Sequence, residues 1–163
     1  MKSLGRKLER IYDEFGQQLF LCALAVTGSG ELAEDAVHDA FYGVLRTGNV
    51  PGNLKAYLFR SVRNAAIDIM RRESHTVKLR IEDIFECQQE LGRNAEIEQL
   101  LDRVAQGLSR LTESERETIM QHLVAGMTFR ELAELQGRPI GSITAWYHRG
   151  ITKLRQQMEK QDG

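Results

Sequence analysis

Cysteine and proline are almost missing from this 163-residue chain, with two of each. Cys22 and Cys87 stand apart, in no C-x-x-C or His-rich spacing, which excludes a disulfide framework and a Cys-built metal site and fits a reducing compartment. No run of β-branched residues alternates at period two, so strands lack a sequence basis. Long stretches of Leu, Ala, Glu, Arg and Gln point instead to an all-α fold. A formal net charge of -1 excludes a protein that coats nucleic acid by bulk charge, so any DNA contact must come from local basic patches. No segment reaches the roughly 18 apolar residues of a membrane span, and the N-terminal stretch has no apolar core of signal-peptide length. A cytoplasmic location without membrane insertion is therefore expected. A Gly-rich phosphate loop, a nucleophile elbow, H-E-x-x-H and a paired-carboxylate constellation are all missing. His38, His75, His122 and His148 do not form a metal-ligand spacing. No catalytic residue, cofactor or metal is expected, and the chain does not read as an enzyme.

What is present is helical periodicity. Leu8, Ile11, Tyr12, Phe15, Leu19, Phe20, Ala23 and Leu24 recur at helical spacing, predicting a helix over 7–27 that ends at Thr27-Gly-Ser-Gly30. A second helix is expected over 31–46, with Leu32, Ala33, Ala36, Val37, Ala40, Phe41, Val44 and Leu45 on one face and Glu34, Asp35, His38 and Asp39 on the other. After a loop of turn residues at 47–53, a third helix runs from 54 to about 72 with Leu58, Val62, Ala65, Ala66 and Ile69 inward. Its flank carries Lys55, Arg60, Arg63, Arg71 and Arg72. Residues 74–105 read as an acidic linker whose end, with Ile97, Leu100, Leu101 and Val104 in helical register, becomes the first helix of a second unit. Two small helical domains result, 1–73 and 106–163, each at the lower end of what folds alone.

The second unit carries two capping boxes, Thr112 with Glu115 and Thr128 with Glu131, so three helices in succession have their own start signals. Gly137 supplies a positive-φ end to the helix begun at Thr128, and Pro139 opens the next. Ile143, Tyr147, Ile151 and Leu154 would dock that last helix on Leu132 and Ala133. Ser142, Ala145, His148, Arg149 and Thr152 would lie along its free face, as in a recognition helix entering a major groove. An ordinary αα-hairpin has the same outline. The capped helix that precedes the pair favours a three-helix DNA-binding module.

Three stretches resemble the extracytoplasmic-function (ECF) sigma factors, bacterial initiation factors that retain only the second and fourth regions of the sigma-70 family. Ala33-Glu-Asp-Ala-Val-His-Asp-Ala-Phe41 resembles the family's "AEDxxQExF" helix. Residues 53–72 resemble "LRAWLYRIARNLAIDxLRR", and residues 111–154 resemble the fourth region throughout. The resemblance implies a helical-bundle region two and a helix-turn-helix region four that bind core RNA polymerase and promoter DNA under the control of an anti-sigma factor. It implies core-polymerase binding by Glu34, Asp35, His38 and Asp39, although a charge run of this kind is also the ordinary solvated face of a helix.

Minus-ten DNA, read as single-stranded bases, falls by the same resemblance to Tyr57, Arg60, Arg63, Asn64, Arg71 and Arg72, with the loop 47–53 as part of the pocket wall. Such reading needs a cationic track for phosphates and planar or polar groups for an unstacked base. Tyr57 and Phe59 are equally compatible with the core. For the minus-35 element the corresponding residues are Arg138, Ser142, Thr144, Ala145, His148, Arg149 and Lys153, with Arg155 as a further phosphate anchor. Here the chain departs from the family: Gly141-Ser-Ile-Thr-Ala-Trp-Tyr-His-Arg-Gly150 stands where relatives have two more basic residues. Two fewer cationic contacts flatten the salt dependence of binding by roughly two log-log units. Trp146 faces either DNA, a protein or the core. A sigma-like decoy that sequesters an anti-sigma factor without initiating transcription is the alternative function, since it tolerates a poor recognition helix but has no use for the arginine-rich third helix.

Overall fold

The computed structural model describes residues 2–73 and 94–162. Cys87, His75 and most of the acidic linker lie outside the described residues. Those described form seven α-helices and one π-helical turn, in the order α1 Lys2–Thr27, α2 Gly30–Thr47, α3 Leu54–Glu73, α4 Ala95–Ser109, α5 Glu113–Ile119, the π-turn Met120–Val124, α6 Phe129–Gln136 and α7 Ile140–Asp162. Among the described residues there is no strand, so the all-α expectation holds. No helix there is long and apolar enough to cross a membrane.

Helices α1, α2 and α3 pack on one another as a three-helix bundle. Small side chains set its closeness: Ala23, Ala25, Ala33, Ala36 and Ala66 are fully buried between Leu19, Leu24, Leu58 and Val62. Each of those larger side chains contributes about 1.5–3 kcal/mol of transfer free energy. Helix α1 starts at Lys2, five residues before the expected start, because Leu4 and Leu8 continue its apolar stripe into a second cluster with Val44, Leu54 and Leu58. Ser29 caps α2, its hydroxyl accepting from Leu32 N, and Gly48 closes that helix at φ 63°. Asn53, expected in a pocket wall, caps α3 by accepting from Ala56 N at 3.1 Å.

In the second unit α7 is the spine, with α4, α5 and α6 all packed against it. Both capping boxes form as the spacing predicts, at Thr112/Glu115 and Thr128/Glu131. Beyond Ile119 the helix that Thr112 opens widens into the π-turn, where Ala125 N bonds Met120 O at 3.0 Å. Helix α4 begins at Ala95, capped by Asn94, inside the stretch read as linker.

The two units touch. Helix α1 packs on the π-turn and on α5, and α3 packs on α6. One apolar cluster runs from Leu19, Cys22, Val62 and Ala66 through to Ile119, Met120, Met127 and Leu132.

Candidate nucleic-acid interface

Three surfaces gather the residues singled out by sequence. On α2 the buried stripe Ala33, Ala36, Val37, Ala40 and Val44 turns Glu34, Asp35, His38 and Asp39 to solvent together, as period 3.6 requires. Tyr42 and Leu45 continue this exposed side, at 65% and 48%, so Leu45 is not on the inner face where its spacing put it. Asp35, His38 and Asp39 line a cleft whose other wall is Ile69, Arg72 and Glu73 of α3. Arg72 therefore stands beside the acidic face of α2 as well as at the end of the basic helix.

Along α3, Leu58, Phe59, Val62, Ala66 and Ile69 are buried, which leaves Tyr57, Arg60, Asn64, Arg71 and Arg72 exposed. Tyr57 is 40% exposed, so its ring stands at the surface. Phe59 is in the core, edge-on to Phe15 with ring centroids 6.4 Å apart. Lys55 is placed over the face of that same Phe15 ring, its Nζ 3.9 Å from the centroid. Arg63 differs from the others. It sits about a quarter of a turn round the helix from the middle of the exposed strip, and its Nε and Nη2 donate to the Glu117 carboxylate at 2.6 and 3.3 Å.

The third surface belongs to the helix-turn-helix. Gly137, at φ 63°, reverses the chain between α6 and α7. Ile143 is fully buried, and Tyr147, Ile151 and Leu154 pack half-buried on the core, forming the expected stripe. An aromatic stack fixes the turn: His122 lies 4.3 Å from Phe129 and 5.1 Å from Tyr147, with its Nδ1 2.7 Å from Met127 O. Ala145, His148, Arg149, Thr152 and Arg138 are exposed on the free side, Ser142 and Thr144 half-buried. Thr144 and Thr152 hydroxyls donate to the carbonyls four residues back, Ile140 at 2.5 Å and His148 at 2.8 Å. Trp146 packs half-buried against the core. Lys153 pairs with Glu115 at 2.8 Å while keeping 44% of its side chain exposed. Burial pushes the Glu115 carboxyl up, but bonds from Lys153 and Thr112 outweigh it and hold it below its ordinary range.

Sequence reasoning missed the polar residues at the seam between the units. Arg116, Glu117, Thr118, Gln121 and Gln136 are all buried. Gln121 Nε2 donates to Glu117 at 3.0 Å and Gln136 Nε2 to Gln121 Oε1 at 3.0 Å. Arg116, its pKa drawn down by desolvation, donates to Ala25 O at 3.4 Å. The run Glu-Ser-Glu-Arg-Glu looks like any solvated first turn, but its Arg116 and Glu117 are met from the other unit, by Ala25 of α1 and Arg63 of α3. Cys22 is buried at the same seam, 3.4 Å from Met127 Sδ, and burial raises its thiol pKa far above the usual range. Among the described residues no cluster of three or more His, Cys, Asp or Glu could hold a metal.

Comparison with known proteins finds two separate matches along the chain. The family model for sigma-70 region 2 matches residues 11–76, and that for sigma-70 region 4 matches residues 101–154. The ECF RNA polymerase sigma factor RpoE of Cereibacter sphaeroides is 28% identical over 109 residues, 65% of this chain. That match spans only 59% of the relative's own length. The fold matches that of the sigma factor RpoE of Bartonella quintana, solved in complex with the anti-sigma factor NepR, with a TM-score of 0.66 over 98% of both chains at 20% identity. The chain belongs to the sigma-70 family, the region 2 match falling on α1–α3 and the region 4 match on α4–α7.

Proposed function

We propose that this chain is a working ECF-type sigma factor that directs core RNA polymerase to its own promoters. The exposed acidic face of α2 docks on the polymerase, the strip Tyr57, Arg60, Asn64 and Arg71 on α3 holds the minus-ten segment as a single strand, and α7 enters the minus-35 major groove. Arg138 and Arg149 supply cationic contacts there, with Ala145 and His148 between them at the base edges. Such a protein acts in the cytoplasm, holds no catalytic group of its own and leaves RNA synthesis to the polymerase. An anti-sigma factor is the expected regulator, as the Bartonella relative was solved with one.

The observation that carries this reading is the exposed polar strip on α3, with Tyr57, Arg60, Asn64 and Arg71 on one side of a helix whose buried residues are all apolar. A protein that merely sequesters an anti-sigma factor has no need of a cationic track beside an exposed aromatic ring. The test is co-purification of the tagged protein from its host. Stoichiometric large polymerase subunits, lost when Asp35 and Asp39 are both changed to Lys, are expected. Recovery of a small partner alone, with no polymerase after that partner is deleted, would leave only the decoy function.

A further inference from the structure

We propose that Arg63 and Glu117 form an intramolecular latch that closes region 2 on region 4, and that nucleic acid competes with Glu117 for the Arg63 guanidinium. This rests on the reading of α3 as a nucleic-acid track. Glu117 is 7% exposed and belongs to α5, whereas Arg63 belongs to α3, 54 positions earlier. Two hydrogen bonds join them, at 2.6 and 3.3 Å, in the paired geometry a guanidinium offers a carboxylate or a phosphate. While its Nε–Nη2 edge is on Glu117 that edge is closed to a phosphate, and only 19% of the Arg63 side chain is exposed.

The pair is not an isolated surface contact. Glu117 also accepts from Gln121, which in turn accepts from Gln136 at the end of α6, so the carboxylate is tied by side-chain hydrogen bonds to the first helix of the helix-turn-helix. When Arg63 leaves, the buried charge of Glu117 keeps Gln121 as its neutral donor, and closure loses its charge-assisted contact. Around the pair, Gln18 Nε2 donates to Ala125 O at 2.5 Å, Arg116 donates to Ala25 O, and Cys22 meets Met127, so three further contacts hold the seam closed. A single-stranded segment that draws Arg63 onto a phosphate therefore opens the seam, and a closed seam weakens binding by the fraction of molecules that are closed.

Cys22 reports the state of the seam, being fully buried between the units. In full-length protein with Cys87→Ser, the rate of Cys22 modification by a small aromatic disulfide measures opening. Arg63→Ala and Glu117→Gln should each accelerate it by about tenfold or more, and Arg63→Lys by less. Helix content and thermal midpoint, recorded alongside, separate opening from unfolding. In the same proteins, fluorescence anisotropy with a labelled single-stranded oligonucleotide should show tighter binding for Glu117→Gln and weaker binding for Arg63→Ala. Unchanged Cys22 rates in both variants overturn the latch. Fast rates in both with no oligonucleotide binding by any form, the starting protein included, leave the latch intact and remove the nucleic-acid reading of α3.

Discussion

A glycine in the middle of α7 makes the sharpest quantitative demand on the structure. A Cβ built at Gly150 lies 2.3 Å from Cδ1 of Ile119, 3.3 Å from its Cγ1 and 3.4 Å from Glu115 Cβ. Carbon atoms in good contact stand about 3.5–4.0 Å apart. Ile119 is 3% exposed and cannot swing its end into solvent. Gly150→Ala would ordinarily stabilise a helix interior by ~1 kcal/mol. Overpacking of this kind costs ~1–3 kcal/mol, so we expect a net loss of about 1 kcal/mol and an unfolding midpoint below that of the parent protein. Ile119→Val deletes Cδ1, the atom responsible. By itself it costs ~0.5–1.5 kcal/mol, but beside Gly150→Ala it should restore stability, a coupling of ~1–3 kcal/mol in a double-mutant cycle. Urea unfolding followed by the fluorescence of Trp146, the single tryptophan and one turn from Gly150, together with circular dichroism, reads all four proteins. If Gly150→Ala is more stable than the parent, or if Ile119→Val simply adds its own cost to it, α5 and α7 do not approach as described.

Gly43 of α2 is the counterpart, with nothing within 4 Å of its missing Cβ, so Gly43→Ala should stabilise by about 1 kcal/mol in the same urea assay. The lowered carboxyl of Glu115 means that its contribution is present above its ordinary value of 4.5 and is lost as pH falls through the lower folded value. Glu115→Gln should therefore be less stable than the parent at neutral pH, and the gap should close as acid unfolding proceeds below pH 4.5. Arg149→Ala should weaken binding to a duplex carrying the cognate minus-35 element, and a loss of about one unit in the slope of log affinity against log salt would assign Arg149 to phosphate. An unchanged slope with relaxed sequence preference would assign it to a base edge.

Helix type and order were legible in the chain because they depend on local chemistry. The periodic stripes of α2 and α3, Leu45 apart, and the two Thr-x-x-Glu boxes needed only neighbours within a turn or two, and they formed where the spacing put them. So did the left-handed end at Gly137 and the inward face of α7 led by Ile143. The side of α2 that carries Glu34, Asp35, His38 and Asp39 followed from the same periodicity. Tyr57 and Phe59, left open from sequence, are about 200° apart on one helix: Phe59, in register with Val62 and Ala66, is buried, and the tertiary structure supplies its partner, Phe15 of α1.

By itself, then, the sequence determined which segments are helices, where most of them stop and which face of each is apolar, since backbone hydrogen bonding and capping are satisfied within a few residues. Tertiary structure alone decided what those faces meet. The approach of Gly150 to Ile119 and the pairing of Arg63 with Glu117 arise from elements distant along the chain. A carboxylate in a charged first turn is solvated or buried according to what packs over it. For Glu117 that covering comes from the other half of the molecule, a contact whose length scale no local pattern contains.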